Sequence, residues 1–422
     1  MSRFRLSLTY GALEQIGVRV CDLVAMWLLM RTLPEADLAT YGVATALLFV
    51  FSLVLVTPEA ALMRDKKKWQ AEGALKSYLS GMLLFAWLRV LVVGMLAFGV
   101  AATHGLHQTF TYACLLACGV QLIQLAEVAR LEHRVDMAHA TVFKVELWAK
   151  IGFLACSALM FVRPGLQVYV GIYIGWYLVV ALYWHMRLVR KHGLSWVPAW
   201  RHLPRAFDAL RAFAFWQHLS GVVTYVMYNI DPWILARFGT PVSDVALYTA
   251  VLKISALFFA VPMFLQNMVA VFLVNSEAGL ARVQRFRKMF FVNAGISAAQ
   301  YAFFMLFGTW LATVFRGQDT SAEAFHGLGL VIGLGVLILN LVRPVMADLI
   351  LHANMRALLI TAYLPALLLS AVAYVALTAL YGMEGCAWAS TLSYTIFAAL
   401  ILVHGWSSDT VKQTFRLRGG HG

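Results

Sequence analysis

Six basic residues interrupt the long hydrophobic runs of this chain: Arg19, Arg89, Lys144, Lys150, Lys253 and Arg343. A cation at the centre of a membrane helix costs roughly 2.5–3.5 kcal/mol on insertion scales, so it has to face a partner or a wet cavity. In low dielectric, guanidinium and ammonium groups hold phosphate-type anions through charge-assisted hydrogen bonds. Four acids share the same runs, Glu14, Asp22, Glu146 and Asp231. Acids in such places serve proton and ion relays in transporters, which makes these four the ion-coupling candidates.

Spacing sorts the charges. Arg19 and Asp22 stand three apart on one helical face and are expected to pair locally. Glu146 and Lys150 stand four apart, acid first, the better-oriented order for a second local pair. Lys144 lies at the edge of its run, where its stem can snorkel. Arg89 has no acid on its own run. It meets an acid from another helix or it faces a cavity, and the cavity is the preferred reading. Lys253 also lacks a local acid. Arg343 precedes Pro344, which should free a backbone carbonyl and bend the helix. Gln217, His218, Tyr225, Tyr228 and Asn229 crowd one run, and Gln121 and Gln124 another. Each serves either a ligand or an interhelical hydrogen bond.

The elements that must position these groups are membrane helices. Of 422 residues, 62% are hydrophobic and only 13% charged, and mean hydropathy is +0.76. A soluble domain would be about half apolar and about a quarter charged. About twelve apolar stretches are long enough to cross a bilayer: 10–32, 41–62, 78–102, 109–130, 145–162, 168–186, 212–236, 247–273, 289–312, 326–347, 358–380 and 385–405. Twenty-three of the 33 Lys and Arg occupy the termini and every second gap, and four occupy the opposite gaps. This asymmetry predicts an even number of spans with both termini in the cytoplasm. The net charge of +13 is then the cytoplasmic face beside anionic membrane lipids, and not a nucleic-acid surface. The first run carries Glu14, Arg19 and Asp22 and lacks a small-residue cleavage site, so it reads as a retained helix rather than a signal peptide. Cys114 and Cys118 share a helical face without a nearby His, too few ligands for zinc, so no metal and no cofactor is expected.

The chain repeats itself. Residues 31–44 (RTLPEADLATYGVA) and 237–250 (RFGTPVSDVALYTA) both place Asp four residues before Tyr and Pro three residues before Asp, at an offset of 207 residues. These segments join corresponding spans, one to two and seven to eight. The reading is therefore an all-α polytopic membrane protein, with about twelve transmembrane helices in two six-helix lobes around a central cavity. The expected divisions are an N-terminal lobe 1–190, a basic linker 191–211, a C-terminal lobe 212–406 and a tail 407–422. Transporters with parallel repeats of this kind bind substrate near mid-membrane between the lobes.

The 31–44 segment resembles the R-x-L-x-P-x-D-F-G-x-Y region of Wzx-type bacterial oligosaccharide flippases, of the multidrug/oligosaccharidyl-lipid/polysaccharide exporter superfamily. Asn229-Ile230-Asp231-Pro232-Trp233-Ile234-Leu235, the stretch Asp244 to Lys253, and Tyr381-Gly382-Met383-Glu384-Gly385-Cys386-Ala387-Trp388-Ala389 continue the resemblance. Leu38-Ala39 replaces the family's Phe-Gly, and Pro232 follows Asp231, so no subfamily is assigned. The resemblance implies a flippase of the bacterial inner membrane. It would move a polyprenyl-pyrophosphate-linked oligosaccharide for O-antigen, capsule or exopolysaccharide, with the polymerase and chain-length machinery as partners. The candidate substrate-binding residues read from the charged and polar groups within the runs are Arg89, Lys253, Arg19, Arg343, Lys150, Gln217 and Tyr225, and the resemblance adds that Lys253 stands where family members often carry a cavity-facing basic residue. The cations suit the pyrophosphate and the polar groups suit the sugars.

Two other classes compete. The first is another exporter of the same superfamily, for drugs or for a lipid-linked peptidoglycan precursor: the precursor flippases typically have two extra helices, which this chain lacks, and an ion-coupled multidrug exporter would favour acids over cations in its cavity. A membrane polymerase or glycosyltransferase would need a large outer loop, but the longest outer gap, about 313–325, is short and poor in catalytic groups, so the chain is not read as an enzyme. No G-x-x-x-x-G-K-[ST] phosphate loop is present, which argues against direct ATP hydrolysis.

Overall fold

A computed structural model describes residues 3–59, 61–105, 108–258, 262–263, 265–266, 269, 273, 279–317, 321–352 and 354–415. The side chain of Arg64 and the tail cations Arg416 and Arg418 lie outside the described residues. The described chain is all-helical and falls into two compact units, Met1–Val222 and Val223–Gly422.

Seven helical stretches among the described residues are long and apolar enough to cross a membrane: Glu35–Leu53, Leu75–Thr103, Thr109–Val135, Leu166–His192, Arg282–Arg316, Ala322–Leu341 and Met355–Gly405. The linear pattern predicts about twelve, and the difference has physical causes. The last stretch doubles back on itself and so holds two spans. The runs at 10–32 and 145–162 form helices that carry several charges. The run at 212–236 is cut into shorter helices, the run at 41–62 passes through irregular backbone after Val54, and the run at 247–273 is helical to Leu257 and lies only partly within the described residues beyond it.

In the first unit the helices are α1 (Arg3–Thr32), α2 (Glu35–Ala46), α3 (Leu48–Val54), α4 (Ala61–Ala71), α5 (Leu75–His104), α6 (Thr109–Val135), α7 (His139–Ser157), α8 (Leu166–His192) and α9 (Leu203–Ala209). Helix α6 is central and packs on α2, α4, α5 and α8. Its buried Leu122, Leu125, Ala126 and Ala129 recur at helical spacing, as do Leu79, Met82, Leu83 and Ala86 of α5 and Val180, Ala181, Trp184 and Leu188 of α8. Small residues let these helices approach, because lipid supplies no hydrophobic drive between them. Gly119 of α6 and Gly152 of α7 leave room for the rings of Tyr173 and Trp176.

The second unit takes over within α10 (Phe215–Asn229). It continues with α11 (Asp231–Arg237), α12 (Val242–Leu257), α13 (Leu280–Arg316), α14 (Ala322–Leu341), α15 (Arg343–His352), α16 (Met355–Leu358), α17 (Leu364–Gly405) and α18 (Asp409–Phe415). Helix α14 packs on α12, α13 and α17. The chain leaves α14 at Val342 and restarts as α15 at Arg343, so the bend expected at Arg343-Pro344 is present as a break.

The internal repeat has a structural counterpart. Both α2 and α12 begin on the residue after Pro34 or Pro241, each with an extended backbone. Both bury the repeated tyrosine: Tyr41 edge-on against Tyr169 at 5.7 Å, and Tyr248 within the second unit. Asp37 accepts the backbone N–H of Leu166 at 2.8 Å, capping the start of α8 from a distance.

Two glycines make the α17 hairpin. Gly382 sits at φ 57, ψ −132, a conformation that side chains disfavour. A Cβ on Gly385 would lie 1.9 Å from the carbonyl oxygen of Leu377. The Ser370 and Ser393 hydroxyls bond across the arms at 2.7 Å. Gly385→Ala therefore forces backbone against backbone. It should lower stability by about 1–3 kcal/mol, read as a drop in the thermal midpoint of the detergent-purified protein. Gly295→Ala, with nothing within 4 Å of its added Cβ, should leave the midpoint unchanged or slightly higher.

Candidate functional site

Arg89 lies mid-way along α5 and is 3% exposed. Its guanidinium pairs with the Glu59 carboxylate, donates to the carbonyl of Val56 at 3.0 Å and stacks over the Phe85 ring. Pro58 lies in the non-helical stretch between α3 and α4 and leaves Glu59 on irregular backbone. Val56 lies two residues past α3 on the same irregular stretch, where its carbonyl has no helical partner. One buried cation thus satisfies a buried acid and an orphan carbonyl together. The acid on another element is Glu59, which was absent from the intramembrane acids picked out by sequence. The signal was there: an acid next to a Pro that closes an apolar run. The same stretch is fastened to α10, whose His218 donates from Nε2 to Ser52 O at 2.6 Å and accepts at Nδ1 from the Thr57 hydroxyl at 3.2 Å.

Several other charges of the first unit form cross-ties. Arg19 and Asp22 pair at 3.5 Å, the local pair expected. Asp22 also receives Lys150 at 2.7 Å, and Lys150 donates to the Tyr177 hydroxyl at 3.1 Å. The expected Glu146–Lys150 pair does not form. Glu146 turns instead to Arg130 at 3.0 Å and Trp184 Nε1 at 2.9 Å, while Lys150 turns to α1. Both touch α8, but their ionic partners come from different helices, Arg130 of α6 for Glu146 and Asp22 of α1 for Lys150. Glu14 binds Arg134 at 2.6 Å, and Arg134 and Arg130 share Glu127 at 2.9 and 3.0 Å. Beside them, burial and the Arg134 guanidinium push the His139 imidazole below its usual range, which favours the neutral ring.

At the same end of the unit a buried knot ties α4, α6 and α8. Glu132, fully buried, takes Lys66 at 2.8 Å, Lys191 at 2.9 Å and His192 at 2.9 Å. Asp136 takes Lys66 at 2.5 Å and Lys191 at 2.7 Å.

The second unit gathers a different group. Asp231, fully buried at the start of α11, accepts the Tyr248 hydroxyl at 3.0 Å and the Tyr374 hydroxyl. Tyr374 lies on α17 and was not anticipated. Lys253 of α12 donates to the amide oxygen of Asn229, two residues before Asp231, at 3.2 Å. Arg343, 4% exposed, reaches the Gln266 amide oxygen at 3.2 Å and the Tyr228 hydroxyl at 3.3 Å. Asn229 also donates to the Tyr225 carbonyl at 3.1 Å, one turn back along α10. Asp231, Lys253, Asn229 and Tyr248 are thus brought together, with Arg343 and Tyr228 on their own contacts in the same unit. Gln217 belongs to the first unit, and its Oε1 has no hydrogen-bond partner among the described residues.

No protein-family model matches the chain, and no curated protein matches it in sequence. Solved structures do match in fold. The lipid II flippase MurJ in an inward closed conformation has a TM-score of 0.71 at 13% identity, over 96% of this chain and 89% of that one. A MATE transporter in the straight conformation has a TM-score of 0.61 at 14% identity, over 98% and 96%. An outward-facing multidrug resistance MATE-family transporter of the MOP superfamily has a TM-score of 0.60 at 11% identity, over 98% and 96%. The chain therefore has the fold of these membrane transporters, and it is a multi-pass membrane protein.

Removing one partner of the Arg89–Glu59 pair strands the other as a buried charge. Glu59→Ala should cost about 3–5 kcal/mol, and Glu59→Met with Arg89→Met together should recover most of it. Thermal unfolding in detergent reads both. A Glu59→Ala variant as stable as the parent would mean that water or lipid headgroups already reach Arg89.

Proposed function

We propose that the chain is a flippase for a polyprenyl-pyrophosphate-linked oligosaccharide in the bacterial inner membrane, serving O-antigen, capsule or exopolysaccharide assembly. The observation that carries this reading is the fold shared over nearly the whole chain with a protein described as a lipid II flippase. The Wzx-type motifs support the choice of oligosaccharide cargo, and the buried cations support an anionic one. Lys253 and Arg343 are buried cations with hydrogen bonds to Asn229, Gln266 and Tyr228 among their contacts, and a phosphate oxygen accepts the same kind of charge-assisted bond. Arg89 would serve the cargo only by sharing itself with Glu59. Arg19, Lys150, Gln217 and Tyr225 complete the proposed substrate set. Asp231 is the foremost ion-coupling candidate because it is fully buried and held by two tyrosines, with Asp22, Glu14 and Glu146 behind it. The basic gaps place both termini in the cytoplasm. Transport would proceed by alternating access of the two halves.

A second reading, an ion-coupled multidrug exporter, is favoured by the MATE transporters, which match over 98% of this chain. The two readings part on cargo charge.

Deleting the gene should abolish surface polysaccharide, and the intact gene should restore it. Lys253→Ala and Arg343→Ala, at matched membrane abundance, should each lower polymer yield by about tenfold, the worth of one charge-assisted hydrogen bond to the cargo. Lipid-linked oligosaccharide should then accumulate on the cytoplasmic side. Full restoration by both variants would remove these cations from the transport path. A deletion that leaves polymer intact but sensitises cells to cationic drugs would favour the exporter.

A further inference from the structure

Lys144, exposed on α7, and Arg187, half-buried on α8, enter no ion pair among the described residues. Both line one groove of about 610 Å³ between α7 and α8. Lys144 stands near the start of α7 and Arg187 near the end of α8, so both stand at the same end of the groove, beside the basic loops. Beyond them the groove is apolar and aromatic, with Trp148, Trp176 and Val179. Trp148 is 70% exposed, a large ring with no protein cover. Trp176 is fixed, its Nε1 donating to the Ala149 carbonyl at 2.7 Å and its ring filling the space left by Gly152. Arg187 is held by the Tyr183 hydroxyl at 2.9 Å.

We propose that this groove binds an anionic glycerophospholipid from the leaflet at its basic end. The phosphodiester sits between Lys144 and Arg187, and one acyl chain lies along Trp148 and Val179. The chemistry selects the occupant. Two cations without acids complement a phosphate. No carboxylate lines the groove, so the ammonium of a zwitterionic headgroup finds no partner there. The apolar run behind the cations gives a chain a seat that a free phosphate would not need. The fixed Trp176 and the tethered Arg187 form a preorganised wall, which lowers the ordering cost of binding. Lys144 then grips a lipid instead of merely snorkelling. None of the residues lining the groove is among those proposed to handle cargo.

The test is binding of dioleoyl-phosphatidylglycerol against dioleoyl-phosphatidylcholine to the purified full chain, read by native mass spectrometry and by lipid-dependent thermal shift. The wild type should retain phosphatidylglycerol about tenfold better than phosphatidylcholine. Lys144→Gln with Arg187→Gln should abolish that preference, whereas Lys67→Gln with Lys68→Gln, exposed cations outside the groove, should keep it. Trp148→Ala should weaken retention of both lipids. Equal retention of the two lipids by the wild type, or an unchanged preference in the groove variant, overturns the proposal. So does equal loss in the Lys67/Lys68 variant, because attraction would then be diffuse. The wild-type comparison decides the matter even if the groove variant does not fold.

Discussion

Burying a charge in a low-dielectric helix bundle is the constraint on which the rest of this structure depends. An isolated ion there pays a desolvation penalty of several kcal/mol, which only a partner of good geometry offsets. The first unit meets the constraint with cross-ties between helices. Asp22 is shared by Arg19 and Lys150, Glu146 is held by Arg130 and Trp184, and Glu132 is held by Lys66, Lys191 and His192. Each tie fixes which helices are neighbours and in what register. In a membrane, where lipid is as apolar as Leu, such ties and close packing must specify the bundle.

The same constraint explains where helices break. Glu59 lies in the gap after α3, Asp231 opens α11, and Arg343 opens α15 after the chain has left α14. At each break the backbone loses helical hydrogen bonds that water cannot replace inside a bilayer. Polar side chains collect there because they satisfy those groups, as Arg89 does for Val56 O. Irregular backbone and buried charge are thus one feature, and both proposed substrate cations of the second unit belong to it or neighbour it. Asp231 gains further from standing in the first turn of α11, where a negative charge is favoured.

The two units use the shared repeat differently. Pro34 and Pro241 start equivalent helices, and the tyrosine seven residues on is buried in both. Tyr41 meets another tyrosine, whereas Tyr248 meets the carboxylate of Asp231. One copy of the pattern joins a pair of tyrosines and the other joins a buried polar group around a carboxylate. The amphipathic groove of α7 and α8 adds a third use of charge, facing outward to lipid.

The amino-acid sequence by itself determined the membrane class, most of the helical spans, the repeat and three buried cations, Arg89, Lys253 and Arg343. These depend on hydropathy, on local spacing and on residue type, all of which are written along the chain. It did not mark Lys66, which sits in a basic gap of the linear pattern and is buried, nor the exposure of Arg19 and Lys144. The hairpin glycines were visible too, as Gly382 and Gly385 three apart between two apolar runs. What only the tertiary structure decided was partnership. Arg89 meets Glu59 thirty residues away, Lys150 chooses Asp22 over Glu146, and Asp231 takes Tyr374 from a distant helix. Such choices are fixed by which helix faces lie against each other and at what depth. A one-dimensional pattern carries the period of a helix, but not its rotation against its neighbours.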